Sequence, residues 1–491
     1  MIDLYRSLAV FCLVLGGLQS SVAASLAPAA PSMPSRTVSL NEQTIELTLA
    51  DAVFLGLRDN RSIRSAYLDR IAQKFDLRVA EDRFTPKLVL SSRYLAARNQ
   101  GDHRRQAEVI PQTTMLGEYG TQLSLAWSNQ LTMANTAGRT RNDGATLTII
   151  QPLLRGAGKD VATAPVRLAV LSEKVNRLTL KSTVSDTITR IITGYRELLR
   201  AQEQVRIARD ALERSRQLLD ANRAMIAAGQ MAEFDIVQTE ADVATQELAI
   251  EEAANQLDAS RLELLRLLAL DLGTRLRAVE VLDARRIEVS AKQALVTARE
   301  RQPGYLTRLI AGKQAEINLL VARNERLWDV SLIGGATQVR DRVQNDFGPG
   351  TTRTWEGYAG IQIDIPIGDL SRRQAEVRAR VDVENQELLL AEADQSLAQD
   401  VGDGVRDLGT RWRQYEISQR ARELSLRKLE IEREKLQSGR SSNFQVLSFE
   451  ADLRNAENAR LNSLIAYLNA QTSLDQTLGT TLESWDIDLN D

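Results

Sequence analysis

The chain has 491 residues, 26% charged and only 4% aromatic, with a formal net charge of -3. So few aromatic residues argue against large globular cores and favour long helical packing. The near-neutral charge provides no basic footprint for nucleic acid.

The chain opens with the features of a secretory signal: Arg6, an apolar run from Leu8 to Leu18, then Val22 and Ala24 placed for cleavage after Ala24. The run is shorter than the ~20 residues of a spanning helix, so residues 1–24 are expected to be removed. Cys12, the only cysteine, would go with them, leaving no thiol for a disulfide or a metal. Residues 25–47, rich in Ala, Pro and Ser at their start, read as a flexible leader.

Beyond the leader the chain is written twice. Ala52 to Leu90 aligns without a gap on Ala294 to Leu332 at an offset of 242, matching Asn60-Arg61 to Gln302-Pro303. Pro152 then pairs with Pro366 at 214, Gly229 and Phe234 with Gly439 and Phe444 at 210, and Leu272-Gly273-Thr274 with Leu478-Gly479-Thr480 at 206. The fall from 242 to 214 places about 28 extra residues between Pro86 and Pro152. Residues 48–274 form the first repeat, 275–293 a connector, 294–480 the second repeat and 481–491 a tail.

Each repeat starts helical and then alternates with period two. Strands are expected at Lys87 to Ala97, Thr121 to Ala134 and Ala145 to Gln151 in the first repeat, and at Asp329 to Gln338 and Thr354 to Ile365 in the second. Asn345 to Gly350 is a turn cluster. Pro152 with Gly156, and Pro366 with Gly368, mark turns from strand to helix.

Proline is then absent from Val166 to Gln302 and from Ile367 to Asp491, as long helices require. Leu198, Ala201, Val205, Ala208, Leu212, Ser215 and Leu219 recur at spacings of three and four, and Ile236, Val243, Ile250, Ala253, Leu257, Leu264 and Leu267 resume the rhythm after Gly229. Two rods of about 100 Å, folded back at Gly229 and Gly439, are expected. Gly402, Gly404 and Gly409 mark a bend or a point of close packing in the second.

An isolated sheet of so few strands leaves edges that invite aggregation, and pooling strands from several subunits into one membrane barrel would remove them. Leu88, Leu90, Leu123, Leu125, Leu147, Ile149, Ile361, Ile363 and Ile365 alternate as a lipid face requires. Tyr94, Tyr119, Trp127, Trp355 and Tyr358 are candidates for interfacial girdles. A soluble sheet with ordinary core aromatics is the competing reading.

No enzyme constellation is present. Gly156-Ala157-Gly158-Lys159 lacks the glycine and hydroxyl that a phosphate loop needs at Leu153 and Asp160, and Gly402 and Gly404 occupy ligand positions of a calcium loop starting at Asp400. The lone His103 has no partner for zinc. No catalytic residue, metal or cofactor is expected.

Several segments together resemble the TolC family of outer-membrane efflux proteins: Leu47-Thr48-Leu49-Ala50-Asp51-Ala52, Gln151-Pro152-Leu153-Leu154-Arg155-Gly156, Ile363-Asp364-Ile365-Pro366-Ile367, the turns at Gly229 and Gly439, and the two Leu-Gly-Thr endings. The resemblance implies a mainly α fold with a membrane β-barrel portion. It implies a homotrimer in the outer membrane of a Gram-negative bacterium, extending into the periplasm. Four strands per subunit would make a 12-stranded barrel, continued by a long coiled-coil helical barrel. It also implies a duct for efflux or type I secretion of small molecules or polypeptides, whose partners are a periplasmic adaptor, an inner-membrane pump and outer-membrane lipid.

By the same resemblance, Gly229, Gln230, Gly439 and Arg440 would dock the adaptor, and Asp235 would gate the pore. Arg440 is a candidate to latch Asp235. Glycine as an ordinary helix terminator and Asp235 as an acid at a helix start are the plainer readings. The second repeat departs from the acidic pattern with Gln445 and Ser448. A periplasmic coiled-coil adaptor is the alternative for the whole chain.

Overall fold

The computed structural model describes residues 44–98, 101–135, 138–345 and 348–489. The signal segment, Cys12 and most of the leader lie outside the described residues.

The leader's last residues form β1 (Ile45–Leu47). Thr48 then caps α1 (Leu49–Asp59) with a reciprocal Thr48–Asp51 capping box. Asn60 breaks the helix, and its side chain accepts from the amides of Ser62 and Ile63 to start α2 (Arg61–Glu81). The second repeat copies this break: α5 (Ala291–Arg301) stops at Gln302, whose side chain accepts from the Tyr305 amide at the start of α6 (Pro303–Glu325). The aligned pair Asn60 and Gln302 is thus a shared capping position.

Each repeat continues through strands into a long helical hairpin. The first pairs α3 (Ala164–Ala227, 64 residues) with α4 (Ile236–Leu267). The second pairs α7 (Ser371–Gln437, 67 residues) with α8 (Asn443–Leu478). At ~1.5 Å per residue α3 and α7 are each about 100 Å long. All seven seam residues from Leu198 to Leu219 are buried, whereas most of the α4 seam is half-buried in the single chain.

α7 runs through Gly402, Gly404 and Gly409 without interruption. A Cβ on Gly404 would lie 3.1 Å from Leu474 Cδ1, so this glycine serves close packing of α7 on α8.

Two corresponding cores lie part-way along the rods, one in each repeat. One gathers Val53, Ile188, Ile191, Tyr195, Leu264 and Leu268 with Leu276 of the connector and Leu482 of the tail. The other gathers Ala294, Ala298, Val401, Leu408, Tyr467 and Leu474. In the connector, β6 (Leu276–Ala278) pairs in parallel with β1, and the Tyr195 hydroxyl donates to the Leu47 carbonyl at 2.8 Å. The end of the leader is thus built into the first core.

The main sheet is antiparallel and holds six strands in the order β2-β3-β4-β5-β7-β8. They are β2 (Lys87–Arg98), β3 (His103–Leu116), β4 (Gln122–Ala134), β5 (Gly138–Pro152), β7 (Asp329–Asn345) and β8 (Gly348–Asp364). The expected count of four strands per subunit is therefore corrected to six. Sequence reading missed β3, because Pro111 interrupts it and a central proline argues against a strand. The extra residues before Pro152 thus supply strands, and the β3–β4 pairing is interrupted at Ile110 and Pro111.

Candidate functional site: a two-faced sheet and two helical tips

Side chains alternate across a strand, and the register is the same on both sides of the Pro111 gap, so it assigns each strand residue to a face. Leu88 stands opposite Thr113, Thr113 opposite Leu125, Leu125 opposite Leu147, Leu147 opposite Ala336 and Ala336 opposite Gly357. The same face carries Leu90, Leu123, Ile149, Leu332, Ile361 and Ile363, so these alternating apolar residues lie together. The opposite face carries Gln112, Ser124, Thr148, Thr337 and Gln362. One side of the sheet is suited to hydrocarbon and the other to water.

The apolar band is also slanted. On β2 and β3 apolar positions dominate out to Ala96 and Ala107, whereas on β7 and β8 they end at Ala336 and Trp355, several rows nearer the helices. Strands tilted by roughly 40° in a barrel need this stagger to keep an apolar band level.

The five aromatic candidates separate. Tyr94, Trp127 and Trp355 share the apolar face and are all exposed in the chain. Tyr119 lies in the turn between β3 and β4 at the helical end of the sheet. Tyr358 stands an odd number of residues from Trp355 and so faces the polar side, over Gly335.

The strand-to-helix turns lock the sheet onto the rods. Pro152 ends β5, Gly156 and Gly158 turn with positive φ, and the Gly156 amide donates to Asn324 Oδ1 at 2.7 Å. Arg155 pairs with Asp329 at the start of β7. Pro366 and Gly368 form the corresponding turn after β8, Gly368 at φ 79°. Gly120, in the turn before β4, leaves space for the Gly156 carbonyl, which a Cβ would meet at 2.3 Å.

At the far ends of the rods the two turns have the same geometry. Gly229 and Gly439 adopt φ of 72° and 70°. Gly229 N donates to Ile226 O and Gln230 N to Met225 O, while Gly439 N donates to Leu436 O and Arg440 N to Lys435 O. These are paired Schellman caps. All four turn residues are exposed, as are Phe234 and Phe444, which stand at corresponding positions just beyond them.

Asp235 is half-buried at the start of α4, and no ion pair joins it to Arg440 among the described residues. The latch between them does not form within one chain. A buried polar cluster joins the tips instead: Asn222 Nδ2 donates to Thr239 Oγ1 and to Asn443 Oδ1, both at 2.8 Å, and Asn443 Nδ2 donates to the Asp235 carbonyl at 3.2 Å. Sequence reading gave Asn222 and Asn443 no role. Higher on the rods, Glu450 joins Arg214 and Arg433, and Glu457 sits among Arg214 and Arg422. Burial pushes the Glu457 carboxyl above the ordinary carboxylate range.

The described residues hold no group of His, Cys, Asp and Glu placed for a metal ion, and no described helix is long and apolar enough to cross a membrane.

No protein-family model and no curated relative matches the sequence. Solved structures do. The Campylobacter jejuni CmeC outer membrane channel matches at a TM-score of 0.66 and 15% identity, over 88% of this chain and 86% of that one. The open state of the Neisseria gonorrhoeae MtrE outer membrane channel matches at 0.66 and 16%, over 88% and 89%. The outer membrane protein VceC from Vibrio cholerae matches at 0.65 and 14%, over 88% and 96%. The fold of this chain, its long helical hairpins and antiparallel strands together, is that of the TolC-type outer-membrane channels.

Proposed function

We propose that this chain is one subunit of a trimeric outer-membrane duct that exports small molecules or polypeptides and has no enzymatic activity. The observation that carries the reading is the sheet with one apolar and one polar face. Its two edges, β2 and β8, are unpaired within the chain and every residue described on them is exposed. The open edges invite pairing with copies of the same chain, and only a closed barrel satisfies every strand in lipid. Solved channels of the same fold support this choice.

Three copies of six strands give an eighteen-stranded barrel rather than the twelve-stranded one the resemblance implied. With strands ~4.8 Å apart and tilted roughly 40°, its backbone would be about 35 Å across, against about 24 Å for twelve strands. The polar faces would line the lumen. The half-buried α4 seam and the exposed Leu388, Ile417 and Leu424 of α7 give the rods apolar surface to bury against neighbours in a helical barrel. The tips around Gly229, Gln230, Gly439 and Arg440, with Phe234 and Phe444 as apolar anchors, would receive a periplasmic adaptor of an inner-membrane pump.

Single-channel recording in planar bilayers, with the mass of the same sample in detergent, tests the reading. A trimer giving discrete conductance steps is expected. A non-conducting monomer that stays soluble without detergent would favour a periplasmic adaptor instead. Strand closure is read from disulfides between Ser91→Cys on β2 and a cysteine scan of Thr354, Glu356 and Gly360 on β8, all on the polar face. Covalent trimers are expected, and monomer at every position would remove the closure.

A further inference from the structure

Beyond the apolar band, on the same face of the sheet, five arginines collect with a single carboxylate. Arg141 stands directly opposite Arg342 across β5 and β7, and Arg340 directly opposite Arg353 across β7 and β8. Arg139 lies one same-face step outward from Arg141. Asp143 stands opposite Arg340 and pairs with Arg141 at 2.9 Å. Arg139, Arg340, Arg342 and Arg353 have no carboxylate partner among the described residues. Arg139, Arg141, Arg342 and Arg353 are exposed and Arg340 is half-buried.

Like charges directly opposite in a sheet are destabilising, and here two such pairs sit side by side. Bound anions would relieve that repulsion. Guanidinium forks match phosphate oxygens in bidentate fashion. The position of the cluster selects the source of the phosphate. It begins just past Trp355 and Ala336, where the apolar band ends on β8 and β7, at the end of the sheet away from the helices. A molecule with acyl chains against Ile361, Leu332 and Leu147 would present its headgroup to these arginines.

We infer that the arginine cluster of β5, β7 and β8 is a binding site for the phosphorylated headgroup of an outer-leaflet lipid. The inference rests on the channel reading for the direction of the sheet in the membrane. Three copies would place three such sites around the barrel, anchoring its outer margin.

The test measures binding of bisphosphorylated lipid A and of its dephosphorylated form to the full chain in detergent, by native mass spectrometry, with bilayer conductance recorded on the same preparations. The wild type is expected to prefer the phosphorylated lipid by roughly tenfold or more, as one or two charge-assisted bonds provide. The double variant Arg342→Gln with Arg353→Gln is expected to lose that preference while still conducting. The double variant Arg342→Lys with Arg353→Lys keeps the charge but not the fork, and should lose part of the preference even if the Gln variant does not assemble.

Equal binding of the two lipids by a conducting wild type would overturn the lipid site alone. So would an undiminished preference in both double variants, or inorganic phosphate binding as tightly as the phosphorylated lipid. A wild type that neither assembles nor conducts would overturn the channel reading instead.

Discussion

Asn222 Nδ2 donates to Asn443 Oδ1 at 2.8 Å, joining two helical hairpins through residues 221 positions apart. Both side chains are buried, and Thr239 Oγ1 accepts from each of them. Asn222→Ala leaves Asn443 Oδ1 without its donor and Thr239 Oγ1 with one of its two, a loss of about 1–3 kcal/mol. Amide exchange in residues 229–245 should accelerate more than in the core around Tyr195. Equal exchange in both regions would mean the cluster does not hold the tips together.

The Schellman turns at Gly229 and Gly439 are surrounded by open space, with nothing within 4 Å of a Cβ at either position. Alanine there meets only the backbone penalty of the left-handed conformation, about 1–2 kcal/mol per site. The double variant's departure from the sum measures the coupling of the two turns through the packed tips. Denaturant unfolding of Gly229→Ala, Gly439→Ala and the pair checks this. Asparagine, which tolerates the conformation better, should recover part of the loss.

Asp235 lies six residues past Gly229, immediately before α4, and its counterpart in the second repeat is Gln445. In a trimer it would contribute three carboxylates to a constriction, a ring that favours cations. Asp235→Ala should weaken cation selectivity in bilayer recordings without changing the trimer's mass. Unchanged reversal potentials in a salt gradient would assign Asp235 to helix starting alone.

Burial raises the Glu457 carboxyl, with Arg214 and Arg422 opposing the shift. A carboxyl raised on folding takes up its proton more readily in the folded state. Its contribution is fully present below the unfolded value of about 4.3 and is lost as pH rises through the folded value. Glu457→Gln lacks this dependence, so it should gain thermal stability relative to the wild type as pH rises from acid towards neutral. A melting difference that stays constant with pH would contradict the assignment.

Much of this architecture was legible in the sequence because it rests on local rules. The seam from Leu198 to Leu219, the glycines that end the rods and the residues around the aligned pair Asn60 and Gln302 all act within a turn or two of helix. The duplication extended those rules across the chain. Alternation along single strands likewise marked Leu88, Leu123, Leu147 and Ile361 as residues of one kind.

Tertiary structure decided the rest, where the deciding partner is distant in sequence. Pro111 breaks the local strand signal of β3, and only pairing with β2 on one side and β4 on the other makes that segment a strand. The count of six strands, and with it the circumference of the proposed barrel, depends on that pairing. Register placed Tyr358 on the polar face and set Arg141 against Arg342 and Arg340 against Arg353. The sequence by itself determined the helices, the repeat and the alternation, because each is fixed by neighbours along the chain. Only the folded sheet and the packed tips decided which residues face each other, because opposition across strands and rods is a long-range relationship that no local pattern encodes.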